Sequence, residues 1–218
     1  MRALSGFIGF KGSVGWLLSQ RLNSVAQPCH AVETGSLECA RGGWNLGCSG
    51  ERADYVGMMA TIMNSLVLRD TFLRLGMEVY NQSGLGVDII DKIDPIKSKQ
   101  AIQEGKIVIF GGGTGKPFFS TDTGASLRAI DIGANVIVKL TNVDGVYDKD
   151  PHKFEDAKRY EKVSYDEVLE KQLGVMDLEA IEMCKENNIE IVVTNINDSE
   201  CLNDVINDGN KGTKVVKE

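Results

Sequence analysis

The sequence predicts an α/β fold, a largely parallel sheet with helices on both faces, and three observations predict it. Apolar runs such as "KIVIF", "ANVIVKL" and "IEIVVTN" are continuous rather than alternating, as in strands buried on both faces. Segments with helical apolar spacing stand between these runs, so strands and helices alternate. Helix caps and stops mark several of the junctions.

From residue 54 the elements follow in order. "DYVGMMATIMNSLVLRDTFLRLG" has helical spacing and stops at Gly76. "MEVYNQ" is a short strand. "DPIKSKQAIQEG" is a helix closed by Gly105, and "KIVIF" is a buried strand that runs straight into glycines. "TGASLRAIDIG" is a helix and "ANVIVKL" the next buried strand, followed by the loop "TNVDGVYDKDP". "SYDEVLEKQ" begins with a capping box, Ser164 with Glu167 three residues on. "DLEAIEMCKENN" is a helix with Asp177 as N-cap. The strand "IEIVVTN", the short helix "SECLNDVIN" and the strand "GTKVVK" close the chain.

The chain has 218 residues, 42% of them hydrophobic, which suits a single domain over residues 1–218 with a substantial core. Its net charge of −7 gives no general attraction for nucleic acid or anionic membrane. No apolar run is long enough to span a bilayer. Five cysteines without metal-like spacing read as reduced thiols of a cytoplasmic protein. Composition shifts near residue 50. Residues 1–50 hold four basic residues against Glu33 and Glu38, net +2, and leave −9 to the remainder. Both tryptophans and three of the cysteines also lie there. Residues 1–32 carry no acid, as in a transit peptide, but Lys11 and the glycines break any apolar signal core. "AVETGSLECA" lacks a strand pattern, and no buried strand is expected in it.

Two loops carry candidate chemistry. "GGGTGKPFFSTDT", Gly111 to Thr123, joins the carboxyl end of a buried strand to a helix. Ligands of parallel α/β sheets sit at that edge. Glycines let backbone N–H groups approach an anion, and the helix N-terminus adds partial positive charge. Thr114, Ser120 and Thr121 add hydroxyls, Pro117 stiffens the loop, and Phe118 and Phe119 can wall off a base or sugar. The pattern reads as a phosphate cradle. Asp122 is either a helix cap or a carboxylate that holds magnesium or orients donors. In "TNVDGVYDKDP", Asp144-Gly145 makes a turn, Tyr147 offers a stacking face, and Asp150 can bind ribose hydroxyls. Taken alone, that loop reads as a surface turn.

"DYVGMMATIMNS", "GGGTGKPFFSTDT", "KLTNVDGVYDKDP" and "GVMDLEAIEMCKENNIEIVVTNIN" together resemble the bacterial UMP kinases of the amino acid kinase superfamily, over about residues 51–218. The resemblance implies a three-layer α/β/α sandwich with a mainly parallel central sheet. It implies ATP- and Mg2+-dependent phosphoryl transfer to UMP, giving UDP, in pyrimidine nucleotide synthesis. It also implies a homohexamer activated by GTP and inhibited by UTP. By the same resemblance Asp54 contacts UMP, and Thr114, Gly115, Lys116, Pro117, Phe118, Phe119, Ser120 and Thr121 form the UMP loop. Thr141, Tyr147 and Asp150 match ATP-binding positions, and Asp122 and Asp177 match two acids near the reacting phosphates. Lys116 departs from the family's asparagine.

The family opens with a strand ending in Lys-x-Ser-Gly, and later has a Gly-Gly-Gly-Asn loop with a nearby arginine. Here "ALSG" puts Ala3 where the lysine belongs, while "KGSVG" offers Lys11 as the catalytic cation. "RGGWNLG" offers Gly43 for the glycine loop, interrupted by Trp44. Two further readings therefore stand beside an active UMP kinase. One is a chain that binds nucleotide but turns over poorly, and the other is a superfamily kinase for a different acceptor.

Overall fold

The structure, a computed structural model, describes residues 6–10, 29–34, 50–207 and 211–217. In chain order the elements are β1 (Gly6–Phe10), β2 (Cys29–Thr34), α1 (Glu51–Arg74), β3 (Val79–Ser83), β4 (Asp91–Lys92), α2 (Pro95–Gln103), β5 (Ile107–Gly111), α3 (Thr121–Ile132), β6 (Val136–Thr141), β7 (Lys162–Ser164), α4 (Tyr165–Glu170), α5 (Leu178–Glu186), β8 (Glu190–Asn195), α6 (Cys201–Ile206) and β9 (Thr213–Val216). Among the described residues the strands form one sheet in the order β4-β3-β5-β2-β1-β6-β8-β9-β7. Every neighbouring pair is parallel except β8 with β9.

Side chains along a strand point alternately to opposite faces, and here both faces are covered. Val108 and Phe110 of β5, Ile137 of β6 and Ile191 and Val193 of β8 pack with Ala125 and Ala129 of α3, Val168 of α4 and Ile181 of α5. The intervening residues Ile109, Val138, Leu140 and Val192 pack with Leu68 and Phe72 of α1 and Cys201 of α6. These two cores make the molecule a three-layer α/β/α sandwich and explain the continuous apolar runs of β5, β6 and β8. Cys184 and Cys201 belong to the packing, and burial pushes each thiol up to about 11, so neither is a thiolate at neutral pH.

The helix ends follow local rules. Asp94 caps α2 by accepting from the Ile96 and Lys97 amides, and Ser164 caps α4 by accepting from the Glu167 amide at 3.1 Å. The Glu167 carboxylate turns outward to Lys171. After α1 the Met77 amide returns to the Phe72 carbonyl, with Gly76 at φ 78 between them.

One expectation is corrected. The start of "AVETGSLECA" does form a strand, since Ala31–Thr34 complete β2. Ala31 and Val32 stand in register with Phe7 and Ile8 of β1 on one side and with Val108 and Ile109 of β5 on the other. A ladder on both sides outweighs the weak intrinsic strand preference of this stretch. The first fifty residues thus supply two central strands.

All strands from β3 to β8 across the centre of the sheet end at one edge, and β5 and β6 deliver the glycine loop and the Thr141–Pro151 loop there. The packing makes a direct prediction. Ile191→Ala, at a fully buried position, should cost about 2–5 kcal/mol in stability. Ile96→Ala, at a position 80% exposed, should stay within about 0.5 kcal/mol of the parent in the same thermal melts. Equal effects would remove Ile191 from the core.

Candidate functional site

The loop after β5 is shaped by close backbone contacts. The Thr61 hydroxyl of α1 accepts from the Gly112 amide at 2.7 Å, and the Gly84 amide donates to the Gly111 carbonyl at 2.8 Å. A Cβ on Gly84 would lie 2.6 Å from the Gly113 carbonyl oxygen. Gly115, at φ 73, faces the Gly84 carbonyl so closely that no side chain fits. The loops after β3 and β5 therefore interlock through main chain alone. The Thr114 hydroxyl bridges within the loop, accepting from the Lys116 amide and donating to its carbonyl. Lys116, Phe118 and Phe119 are exposed. Phe118 takes a left-handed φ of 70, and the Asp54 carboxylate in the first turn of α1 accepts its amide at 2.7 Å. The fold thus brings Asp54 onto the 114–121 loop.

Ser120 caps α3 by accepting from the Thr123 amide at 3.0 Å, and its hydroxyl donates to the Asp177 carboxylate. Asp177 caps α5 by accepting from the Ala180 amide at 2.8 Å. One acid therefore joins the N-termini of two helices beside the cradle. Asp122, in the first turn of α3, is no cap. Both its oxygens accept from Lys139 Nζ, at 3.0 and 2.9 Å, and the same ammonium donates to the Val175 carbonyl at 2.7 Å. Lys139 sits on β6 and is only 9% exposed. Sequence reading assigned it no role, although one lysine inside the apolar run "VIVKL" was the available signal.

The second loop presents a different chemistry. Thr141 ends β6, and its carbonyl accepts from the Ile196 amide at 2.8 Å. The Tyr147 hydroxyl donates to Asp144 at 2.6 Å, which, with partial burial, holds the phenol above its usual range. Asp150 accepts from the His152 amide at 3.0 Å and pairs with Lys153, and these contacts lower its carboxyl pKa. A cavity of about 500 Å³ opens beside this loop, lined by Asp144, Arg159, Asn195, Asn197, Asp198 and Lys211. Arg159 donates to the Asp144 and Gly212 carbonyls, and Lys211 pairs with Asp198. Thr141, Tyr147 and Asp150 do not line the cavity. Asp144 does, held there by Tyr147 and Arg159.

Among the described residues no group of three His, Cys, Asp or Glu gathers as a metal cage. The oxygens of Asp122 and Asp177 already accept from Lys139, Ser120 and Ala180, so this donor set does not suit a resident Mg2+. Lys11 and Gly43 lie outside the described residues.

The chain matches the amino acid kinase family over residues 17–195. It is 43% identical over 167 residues to the uridylate kinase of Acinetobacter baylyi (strain ATCC 33305 / BD413 / ADP1), covering 75% of this chain and 68% of that one. It is similar in structure to the UMP kinase of Ureaplasma parvum, with TM-score 0.89, 31% identity and 100% of both chains covered. A UMP kinase of Bacillus anthracis shares the fold, with TM-score 0.87 at 24% identity over 98% of this chain and 96% of that one.

The glycine interlock is testable by one added methyl. Gly115→Ala combines a left-handed φ, worth about 1–2 kcal/mol against alanine, with a collision on the Gly84 backbone. The variant should melt lower than its parent, and amide exchange should rise in both residues 84–86 and 111–116. A rise confined to one loop would show that the two do not interlock.

Proposed function

The chain belongs to the amino acid kinase family, and we propose that it acts there as a UMP kinase, moving the γ-phosphoryl group of ATP onto UMP to give UDP. The observation that carries this reading is the glycine cradle at the N-terminus of α3, latched at Phe118 to Asp54. Main-chain groups at 113–121 and the positive end of α3 suit the UMP phosphate. Asp54, Phe118 and Phe119 suit its ribose and base. The cavity beside Asp144 and Asn195 takes ATP, with Thr141, Tyr147 and Asp150 shaping the loop around it. Mg2+ arrives with ATP as part of the donor.

A phosphate monoester has a second pKa of about 6, so UMP is already an anionic nucleophile at neutral pH. Its oxygen forms the new bond to the γ-phosphorus as the bond to the β,γ-bridging oxygen breaks, and that electron pair leaves with ADP. No general base is required. The protein aligns two anions and offsets their charge. Lys139 is committed to Asp122 and Val175, and the sequence offers Lys11 as the candidate cation for the transferred group. Lys11 is next in sequence after Phe10 of β1, which pairs with Leu140 of β6. The reading of a poorly active chain rested on Ala3 standing where the family has its lysine, while residues 1–50 do supply β1 and β2 at the centre of the sheet.

The chain works as a single domain and a homo-oligomer, a homohexamer by family resemblance, with GTP as activator and UTP as inhibitor. Met59, Met63 and Val67 make an exposed stripe along α1 that suits a subunit contact. No helix among the described residues is long and apolar enough to cross a membrane, and the proposed location is the cytoplasm.

A coupled assay with UMP, CMP, dUMP, glutamate and carbamate should show UMP as the fastest acceptor, and any faster one overturns the assignment. Asp150→Ala removes the contacts to the His152 amide and Lys153 that shape this loop and should raise KM for ATP by up to about tenfold, the worth of one lost intramolecular hydrogen bond. KM for UMP should hardly move, and a parallel rise for both nucleotides would merge the two sites.

A further inference from the structure

Lys139 is an ammonium group inside the sheet, and its surroundings define a task. An ammonium has three N–H donors, and here each has an acceptor: the two Asp122 oxygens and the Val175 carbonyl. The donors are saturated, so contact with a phosphate would break an existing bond. Asp122 stands in the first turn of α3, the helix start that the cradle feeds. Val175 is buried in the segment between α4 and α5, two residues before Asp177. Asp177 in turn takes the Ser120 hydroxyl that caps α3. The segment before α5 is therefore fastened to the start of α3 at two points, once by Asp177 with Ser120 and once by Val175 through Lys139 to Asp122. The second fastening also cancels the Asp122 charge. Without it, a bare carboxylate would stand at the helix end that receives an anion, opposing the positive end of α3.

We infer that Lys139 is a positioning residue: it fixes Asp122 and the Val175–Asp177 segment against the start of α3, offsets the Asp122 charge beside the acceptor cradle, and does not itself bind the transferred phosphate. This inference rests on the UMP kinase reading for its kinetic consequence but not for its structural one.

The test uses Lys139→Met, Lys139→Arg, Asp122→Asn and the double variant Lys139→Met/Asp122→Asn, each in the full chain. Misplacing a cradle by about an ångström costs on the order of 100-fold in rate, so Lys139→Met should lower kcat by about that factor with KM for ATP nearly unchanged. The two residues act as a unit, so the double variant should lose no more than the worse single variant. Lys139→Arg keeps the charge but cannot reproduce three tetrahedral bonds, and should fall between parent and Lys139→Met while remaining folded. Amide exchange, read in the same proteins, should quicken in both residues 120–126 and 175–180 in Lys139→Met. Unchanged kcat, losses that multiply in the double variant, or a rise in KM for ATP at constant kcat would overturn the inference. If the parent phosphorylates no acceptor, the function reading fails and the exchange data alone decide. Protection unchanged in both segments would then sink the positioning role, and joint loss would sustain it.

Discussion

A methyl group on Gly111 would lie 2.9 Å from the Ser65 hydroxyl and 3.1 Å from the Ile62 Cα, because β5 ends directly against α1. One residue on, Thr61 of the same helix takes the Gly112 amide, and the chain then folds under the Gly84 carbonyl. This backbone-on-backbone packing is the constraint on which the rest of the site depends. It fixes where the 111–120 loop leaves the sheet, and so where α3 begins and which way its amide dipoles point. It also brings the Phe118 amide within reach of Asp54, 64 residues earlier in the chain. Side chains there would push the loops apart, which is why glycine recurs.

Electrostatics sets the second layer. Two carboxylates stand at helix starts beside a surface meant for an anion, an arrangement that is unfavourable unless both are occupied. Asp177 is occupied by a hydroxyl and a backbone amide, and Asp122 by a buried ammonium. The Asp122 charge is therefore cancelled by an ammonium, while the Asp177 charge is held by a hydroxyl and a backbone amide. On the other side of the sheet edge, the polar cavity at Asp144, Arg159 and Asn195 forms a separate chamber. A glycine loop at a helix start and a separate polar cavity at the same sheet edge are the two sites proposed for a transfer between two nucleotides.

Much of this was legible in the sequence because local rules coincide with the fold. The apolar runs of β5, β6 and β8 are buried on both faces, and Asp177 and Ser164 cap the helices they were expected to cap. The place of the glycine loop between a strand and a helix was legible because the apolar run of β5 ends directly at Gly111 and Ser120 caps the helix that follows. What escaped was non-local. β2 is weak in isolation and is made a strand by β1 and β5 on either side. Lys139 looks like a misfit in an apolar strand until Asp122 and Val175, 17 and 36 residues away, are brought beside it. Asp122 itself reads as a cap, yet Ser120 performs that task and leaves Asp122 for the lysine. The polar cavity draws on Arg159, Asn195 and Lys211, whose spacing carries no signature.

The central claim is that two nucleotides occupy two separate chambers on one sheet edge. Backbone amide shifts recorded during separate titrations with UMP and with a non-hydrolysable ATP analogue test it most directly. UMP should move the amides of residues 111–123 and leave 194–198 and 211–212 nearly still, and the ATP analogue should do the reverse. The same set of amides moving with both ligands would contradict the account.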